Sequence, residues 1–258
     1  MSDVDTPLVI AIDGPSGSGK SSTARGVATR LGLRYLDTGA MYRAAAWLVL
    51  HRRIDPVDHE AVLTALAEAP IEVSTDPAEQ KVLIDGEDVT TEIREPVISS
   101  EVSTIATIPR VREHLVALQR RAVVEARPGI VAEGRDITTV VAPDADVRVL
   151  LVADPAARIA RREAELGGRV DTGQVTDQVI RRDRDDSTVA QFTDAAPGVT
   201  VVDSTHLSLD EVIDRICSLT ESGDREAGPT TSGPAQSTPA ESNSPEPPVT
   251  PPGEQPAP

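Results

Sequence analysis

Short apolar runs alternating with stretches of helical spacing set the plan of this chain. Leu8-Val9-Ile10-Ala11-Ile12, Leu33-Arg34-Tyr35-Leu36, Gly129-Ile130-Val131-Ala132, Val147-Arg148-Val149-Leu150-Leu151-Val152 and Val199 to Val202 read as strands. Most are nearly continuously apolar, the pattern of strands covered on both faces. Between them, Ser21 to Leu31 predicts a helix stopped at Gly32, and Asp37-Thr38 opens another that continues to about His51. A further helix is expected after Asp55-Pro56. Pro96 to about Thr107 and Pro109 to about Ala126 each begin with proline, whose missing N–H costs nothing in a first turn. Pro155 to Leu166, Thr176 to about Ser187 and Ser208 to Glu221 complete the helices. Such alternation indicates an α/β fold, a doubly wound parallel sheet. Residues 71–89 change period: Ile71-Glu72-Val73-Ser74 and Val82-Leu83-Ile84, with a turn at Asp85-Gly86, predict a small antiparallel sheet. It lies in an insertion spanning about 66–106.

The first strand runs into Gly14-Pro15-Ser16-Gly17-Ser18-Gly19-Lys20-Ser21, which meets the phosphate-loop pattern G-x-x-x-x-G-K-[ST] at every fixed position. Strand before and helix after supply the context that the motif needs. Backbone N–H groups of such a loop turn inward around phosphate oxygens, at a helix end that already favours anions. Lys20 would reach the terminal phosphates, and the Ser21 hydroxyl would hold Mg²⁺. The chain therefore handles a nucleoside triphosphate, across residues 14–21 and Ser22. Asp13, just before the loop, is the candidate for ordering the water around Mg²⁺. Asp154-Pro155 resembles an acid that ends a strand at a metal, but it equally forms a helix cap with proline at the next position, which is the preferred reading.

A phosphate loop alone does not separate a switch, a motor and a kinase. Arginines do: Arg43, Arg135, Arg158, Arg161, Arg162, Arg181, Arg182 and Arg184 fall near the carboxyl ends of predicted strands or on the helices that follow. Ligands bind at that edge of open α/β sheets, and arginine grips phosphoryl oxygens with two parallel hydrogen bonds. Between residues 158 and 184, helix-face pairs such as Arg161 with Glu165 remain an equal alternative. Arg135, behind Gly134 at the end of a buried strand, has no such alternative.

The order of six motifs resembles that of the bacterial cytidylate kinases, from about residue 8 to 220. They are Ile12 to Ser21, Asp37-Thr38-Gly39-Ala40-Met41-Tyr42-Arg43, Asp85-Gly86-Glu87-Asp88-Val89, Pro109-Arg110-Val111-Arg112, Glu133-Gly134-Arg135-Asp136 and Arg181-Arg182-Asp183. The resemblance implies a three-part nucleoside monophosphate kinase fold: a five-stranded parallel core flanked by helices, a monophosphate-binding insertion and a short lid at about 163–185, bracketed by Gly167-Gly168. By position, Ser103, Arg112 and Asp136 would face cytosine, and Arg182 and Asp186 the ribose. Arg43 and Arg135 would face the acceptor phosphate, with Thr38 nearby. Arg158 and Arg162 would meet ATP and the transferring group. Lys20, Arg43, Arg135, Arg162 and Arg182 are the implied catalytic set. The activity implied is transfer of a phosphoryl group from ATP to CMP or dCMP with Mg²⁺. Three features depart from the family pattern: Val189 stands where an arginine is usual, the four residues Gln191-Phe192-Thr193-Asp194 replace an apolar-proline stretch, and Thr138 replaces a glycine.

Composition narrows the alternatives. Residues 223–258 hold ten of the 21 prolines and no Ile, Leu or aromatic residue. Such a tail cannot offset its ordering entropy, so disorder is expected there, and a kinase domain over 1–222. Five acids and one base give the tail −4 of the chain's −17, leaving −13 for the rest. That acidity argues against a nucleic-acid partner. No apolar run approaches the ~20 residues that span a membrane, and the single cysteine, Cys217, suits a reducing cytosol. A cytoplasmic monomer is expected, with no partner defined for the tail. The alternatives are a phosphate-loop kinase for another small acceptor, or a weakly active relative whose Pro-rich tail recruits a partner.

Overall fold

A computed structural model of the chain describes residues 6–166, 183, 184, 187, 190, 192 and 194–221. Its strands are β1 (Leu8–Asp13), β2 (Arg34–Asp37), β3 (Ile71–Val73), β4 (Val82–Ile84), β5 (Glu87–Asp88), β6 (Gly129–Gly134), β7 (Val147–Val152) and β8 (Thr200–Asp203). The α-helices are α1 (Lys20–Leu31), α2 (Thr38–His51), α3 (His59–Glu68), α4 (Pro96–Ala106), α5 (Pro109–Glu125), α6 (Pro155–Leu166) and α7 (Leu209–Glu221). The main sheet is five-stranded and wholly parallel, in the order β2-β6-β1-β7-β8.

Strand alternation divides the interior in two. Ile10 and Ile12 of β1, Val131 of β6 and Val149 and Leu151 of β7 pack with Val27 and Ala28 of α1 and Ile213 and Ile216 of α7. Ala11 of β1 and Ile130 and Ala132 of β6 face the opposite side, where they meet α2, α3 and α5. Both faces being covered explains why these strands carry apolar residues at nearly every position. A third, small cluster joins Leu150, Ala190 and Phe192.

Helix starts follow local chemistry. The Asp37 side chain accepts the N–H of Ala40 at 2.8 Å and caps α2. Proline occupies the first position of α4, α5 and α6. Asp154 is a cap, its carboxylate accepting the N–H of Ala156 at 2.8 Å. The helix expected directly after Asp55-Pro56 begins only at His59. Asp55 instead accepts the N–H of Val57, and Asp58 supplies the cap through the N–H of Ala61.

The insertion folds as the three-stranded antiparallel sheet β3-β4-β5, with Asp85 and Gly86 at φ 51° and 78° in the two-residue turn. Val82, Ile84, Val89, Ile98, Val102 and Ile105 join the same core as α2 and α5, so the insertion has no interior of its own. A π-type turn at Ile137–Val141 follows β6 and was not anticipated. The helix expected from Thr176 to about Ser187 lies outside the described residues, apart from Asp183, Arg184 and Ser187.

Gly129 begins β6 directly against β1. A Cβ there would stand 2.3 Å from the carbonyl oxygen of Leu8. Gly129→Ala must therefore part the central strand pair, costing about 1–3 kcal/mol as other overpacked sites do. The melting temperature followed by circular dichroism is expected to fall by roughly 3–10 °C.

Candidate active site

The carboxyl ends of β1, β2 and β6 open into one cavity of about 190 Å³. Its donor side is the phosphate loop. Gly19 caps α1 in the left-handed region at φ 91°, where a side chain is strained, so the loop can turn directly into the helix. Gly17, Gly19, Lys20, Ser21, Ser22 and Ser16 line the cavity. Gly14, Pro15 and Ser18 shape the loop from behind, and the Lys20 ammonium donates to the carbonyl of Pro15 at 2.8 Å.

Two arginines of α6 brace this loop from outside. Arg161 donates to the carbonyl of Ser18 at 3.2 Å and to the hydroxyl and carbonyl of Ser204 at 2.9 and 2.6 Å, tying the loop to the end of β8. Arg158 donates to the carbonyl of Ser16 at 3.0 Å and pairs with Asp183, which itself accepts the N–H of Ser16 at 2.9 Å. Neither Arg158 nor Arg161 lines the cavity; Arg162, next along α6, does.

Glu133, the penultimate residue of β6, is only 3 % exposed yet carries a carboxylate. Ser21 donates its hydroxyl to it at 2.7 Å and Tyr35 at 3.3 Å. Burial and the neighbouring Asp37 push the Glu133 carboxyl above its ordinary range, against Lys20 and Ser21. Asp37 stands in register with Glu133 on the adjacent strand. Burial would raise Asp37 too, but Arg43, at 2.9 Å, and the Ala40 N–H outweigh it and hold that carboxyl low. Two adjacent carboxylates are thus driven apart, the arrangement of functional sites rather than of solvated surfaces.

Sequence reasoning missed Glu133 and favoured Asp13. The structure corrects this. Both Asp13 oxygens are taken up by the turn after β6: Ile137 N–H at 2.8 Å on one, Thr138 N–H at 2.8 Å and Thr138 hydroxyl at 2.6 Å on the other. Asp13 points away from Ser21, and the carboxylate bonded to the Ser21 hydroxyl is Glu133. A signal was present: Glu133 has the parity of Val131, which packs on α1, whereas Asp13 has that of Ala11, which does not.

Thr38, Arg43, Arg112, Arg135 and Asp136 all line the cavity. Thr38 donates to the Glu133 carbonyl at 2.8 Å. Arg112, from the first turn of α5, donates to the buried Asp136 carboxylate and lies 5.9 Å from the Tyr42 ring centre. Burial lifts the Asp136 carboxyl above its usual range, with Arg112 opposing. Ser103 is half-buried on α4 between Val102 and Ala106, which line the cavity, and is not itself among the lining residues. Arg182 and Asp186 lie outside the described residues, as do Arg181, Val189 and Gly167-Gly168.

Arg135 donates to the carbonyl of Gly14 and lies 3.6 Å from Asp183. Its guanidinium stacks over the Phe192 ring at 4.6 Å from the centre. Phe192 is the only phenylalanine in the chain and is 1 % exposed. The residue that broke the expected apolar-proline pattern thus supplies the platform beneath a cavity arginine.

A phosphate loop over a parallel sheet, with buried carboxylates and arginines gathered at its carboxyl edge, defines a P-loop phosphotransferase of the nucleoside monophosphate kinase class. The profile of the cytidylate kinase family matches residues 10–222. A cytidylate kinase of Cutibacterium acnes is 60% identical over 215 residues, 83% of this chain and 96% of that protein. One from Rhodococcus opacus is 49% identical over 214 residues, 81% and 93% of the two chains, and one from Corynebacterium efficiens 46% over 222 residues, 84% and 96%. The chain belongs to the cytidylate kinase family. The segment beyond Ser222 lies outside the family match.

Phe192→Leu keeps an apolar side chain but removes the ring face. A partly desolvated cation–π contact is worth about 0.5–2 kcal/mol. Catalytic efficiency toward the phosphate acceptor is therefore expected to fall roughly 3–20-fold, with Phe192→Tyr restoring most of it, as initial-rate assays would measure.

Proposed function

We propose that the protein transfers the γ-phosphoryl group of ATP to CMP or dCMP, giving CDP or dCDP and ADP. The observation that carries the reading is the Arg112–Asp136 pair, buried in the wall of the same cavity as the phosphate loop. Cytosine presents an amino donor beside ring-nitrogen and carbonyl acceptors. A carboxylate beside a guanidinium offers the matching acceptor and donors, while uracil would set a carbonyl against the carboxylate. The names of the curated relatives support the same substrate class.

The residues then divide by role. Lys20 and the loop amides hold the ATP phosphates, and Arg43 and Arg135 grip the acceptor phosphate. Asp37 fixes Arg43 at 2.9 Å, so that arginine is oriented before substrate arrives. Thr38 and Ser103 serve the acceptor side, Arg182 and Asp186 its ribose. Arg162 and Arg182 meet the transferring group; the lid expected at about 163–185 lies outside the described residues, apart from its first turn, Asp183 and Arg184. An oxygen of the acceptor phosphate attacks the γ-phosphorus while the bond to the β–γ bridging oxygen breaks, and ADP leaves with that oxygen. The acceptor oxygen is already anionic, so no general base is required. Positioning and charge stabilisation do the work.

The donor set suits Mg²⁺. Ser21 and Glu133 are hard oxygen ligands within 2.7 Å of each other. Among the described residues no three His, Cys, Asp or Glu side chains form a metal cage. Two protein oxygens beside a triphosphate are what a Mg²⁺ completed by water and phosphate oxygens uses. Ser21 would ligate the ion and Glu133 would orient its shell; bound there, it supplies charge neutralisation on the β- and γ-phosphates. No helix among the described residues is long and apolar enough to cross a membrane.

Asp136→Ala tests the base assignment. Losing a hydrogen bond to a charged group costs about 1.5–3 kcal/mol, so kcat/KM for CMP is expected to fall at least about tenfold, with UMP far less affected. An unchanged CMP/UMP ratio would exclude base reading by Asp136.

A further inference from the structure

Asp136 is held through the backbone that follows it. Its carbonyl accepts the N–H groups of Val140 and Val141 at 2.8 and 3.1 Å, which starts the π turn. The next two N–H groups, of Ile137 and Thr138, go to the Asp13 carboxylate, as does the Thr138 hydroxyl. Asp13 is 1 % exposed, and Ile137, Thr138 and Asp136 are also buried. Among the described residues, three donors meet the two Asp13 oxygens, which a carboxylate accepts together. Asp13 is also the last residue of β1, bonded through the chain to Gly14 of the phosphate loop. One buried side chain therefore joins the loop that holds ATP to the turn that carries Asp136.

We propose that Asp13 is a positioning residue for base selection: with Thr138 it clamps the turn after Asp136 and so fixes where that carboxylate meets Arg112. The inference rests on the reading of Asp136 as the group that recognises cytosine. Thr138 stands where the resembled family usually has glycine, and its hydroxyl adds the third bond of the clamp. With the Asp136 backbone immobilised, its carboxylate keeps only its own side-chain torsions, and Arg112 restricts those. Base reading of this kind needs a carboxylate held to within a fraction of an ångström, because a hydrogen bond weakens steeply with misalignment. The pocket is thus specified one layer deeper than the groups touching the base.

Asp13→Asn is nearly isosteric but turns an NH₂ group toward a donor, so at least one of the three bonds must break. Thr138→Val removes only the hydroxyl. Kinetics of both, alongside Asp136→Ala, are measured with CMP, UMP and ATP, together with melting temperature. Asp13→Asn is expected to raise KM for CMP about tenfold while kcat and KM for ATP change less than about threefold, lowering the CMP/UMP efficiency ratio. Thr138→Val is expected to move the same ratio about threefold, and it carries the test should Asp13→Asn fail to fold. Adding Asp13→Asn to Asp136→Ala is expected to lower the ratio no further, since both act through one contact. The inference is overturned if Asp136→Ala collapses the ratio but Asp13→Asn and Thr138→Val reduce CMP and UMP turnover equally, in step with melting temperature. Asp13 is then a structural peg. If Asp136→Ala itself leaves the ratio unchanged, the base assignment fails and this inference with it.

Discussion

Asp13 stands opposite Gly134 because β1 and β6 run parallel and in register over six residues. That register is the constraint on which the site depends. It makes the phosphate loop and the Gly134-Arg135-Asp136 segment leave the sheet side by side, so that Arg135 can donate to Gly14 and Asp13 can accept from Ile137 and Thr138. Apolar burial on both faces fixes it: a one-residue slip would turn Ile10, Ile12 and Val131 out of one core and into the other.

Alternation along the same strands sorts the charges. Asp37, the last residue of β2, stands in register with Glu133, the penultimate residue of β6, and Glu133 is bonded to Ser21 of α1. Asp13 falls on the opposite face and reaches the π turn. Two acids near the ends of paired strands thus make different contacts, Glu133 with the Ser21 hydroxyl and Asp13 with the turn after β6. Arginines complete the arrangement, each oriented by a partner that is not substrate: Arg43 by Asp37, Arg112 by Asp136, Arg135 by the Gly14 carbonyl and the Phe192 ring. Such preorganisation lowers the reorganisation needed when a ligand arrives.

Much of this was legible in the residues. Continuous apolar runs named the parallel strands, Asp85-Gly86 its hairpin, and proline the starts of α4, α5 and α6. The phosphate loop declared itself. What escaped was direction. Composition at Asp13 and Glu133 is alike, and only strand parity combined with β1–β6 pairing tells which faces Ser21. Phe192 read as a break in pattern, because its worth lies in a contact with Arg135, 57 residues earlier in the chain, that no local spacing encodes. The start of α3 moved from Asp55 to Asp58 because two neighbouring aspartates compete for one cap and only the second has its N3 amide within reach.

The function proposed for this sheet edge is to accept a cytosine monophosphate and phosphorylate it. A coupled assay of ADP release from ATP and Mg²⁺ by the full-length protein, with CMP, dCMP, UMP and AMP compared under one set of conditions, tests it most directly. The kcat/KM for CMP or dCMP is expected to be at least about tenfold above that for UMP and AMP, the margin that a charge-assisted pair to the base supplies. Equal efficiency with UMP or AMP, or turnover of none of the four, would contradict it.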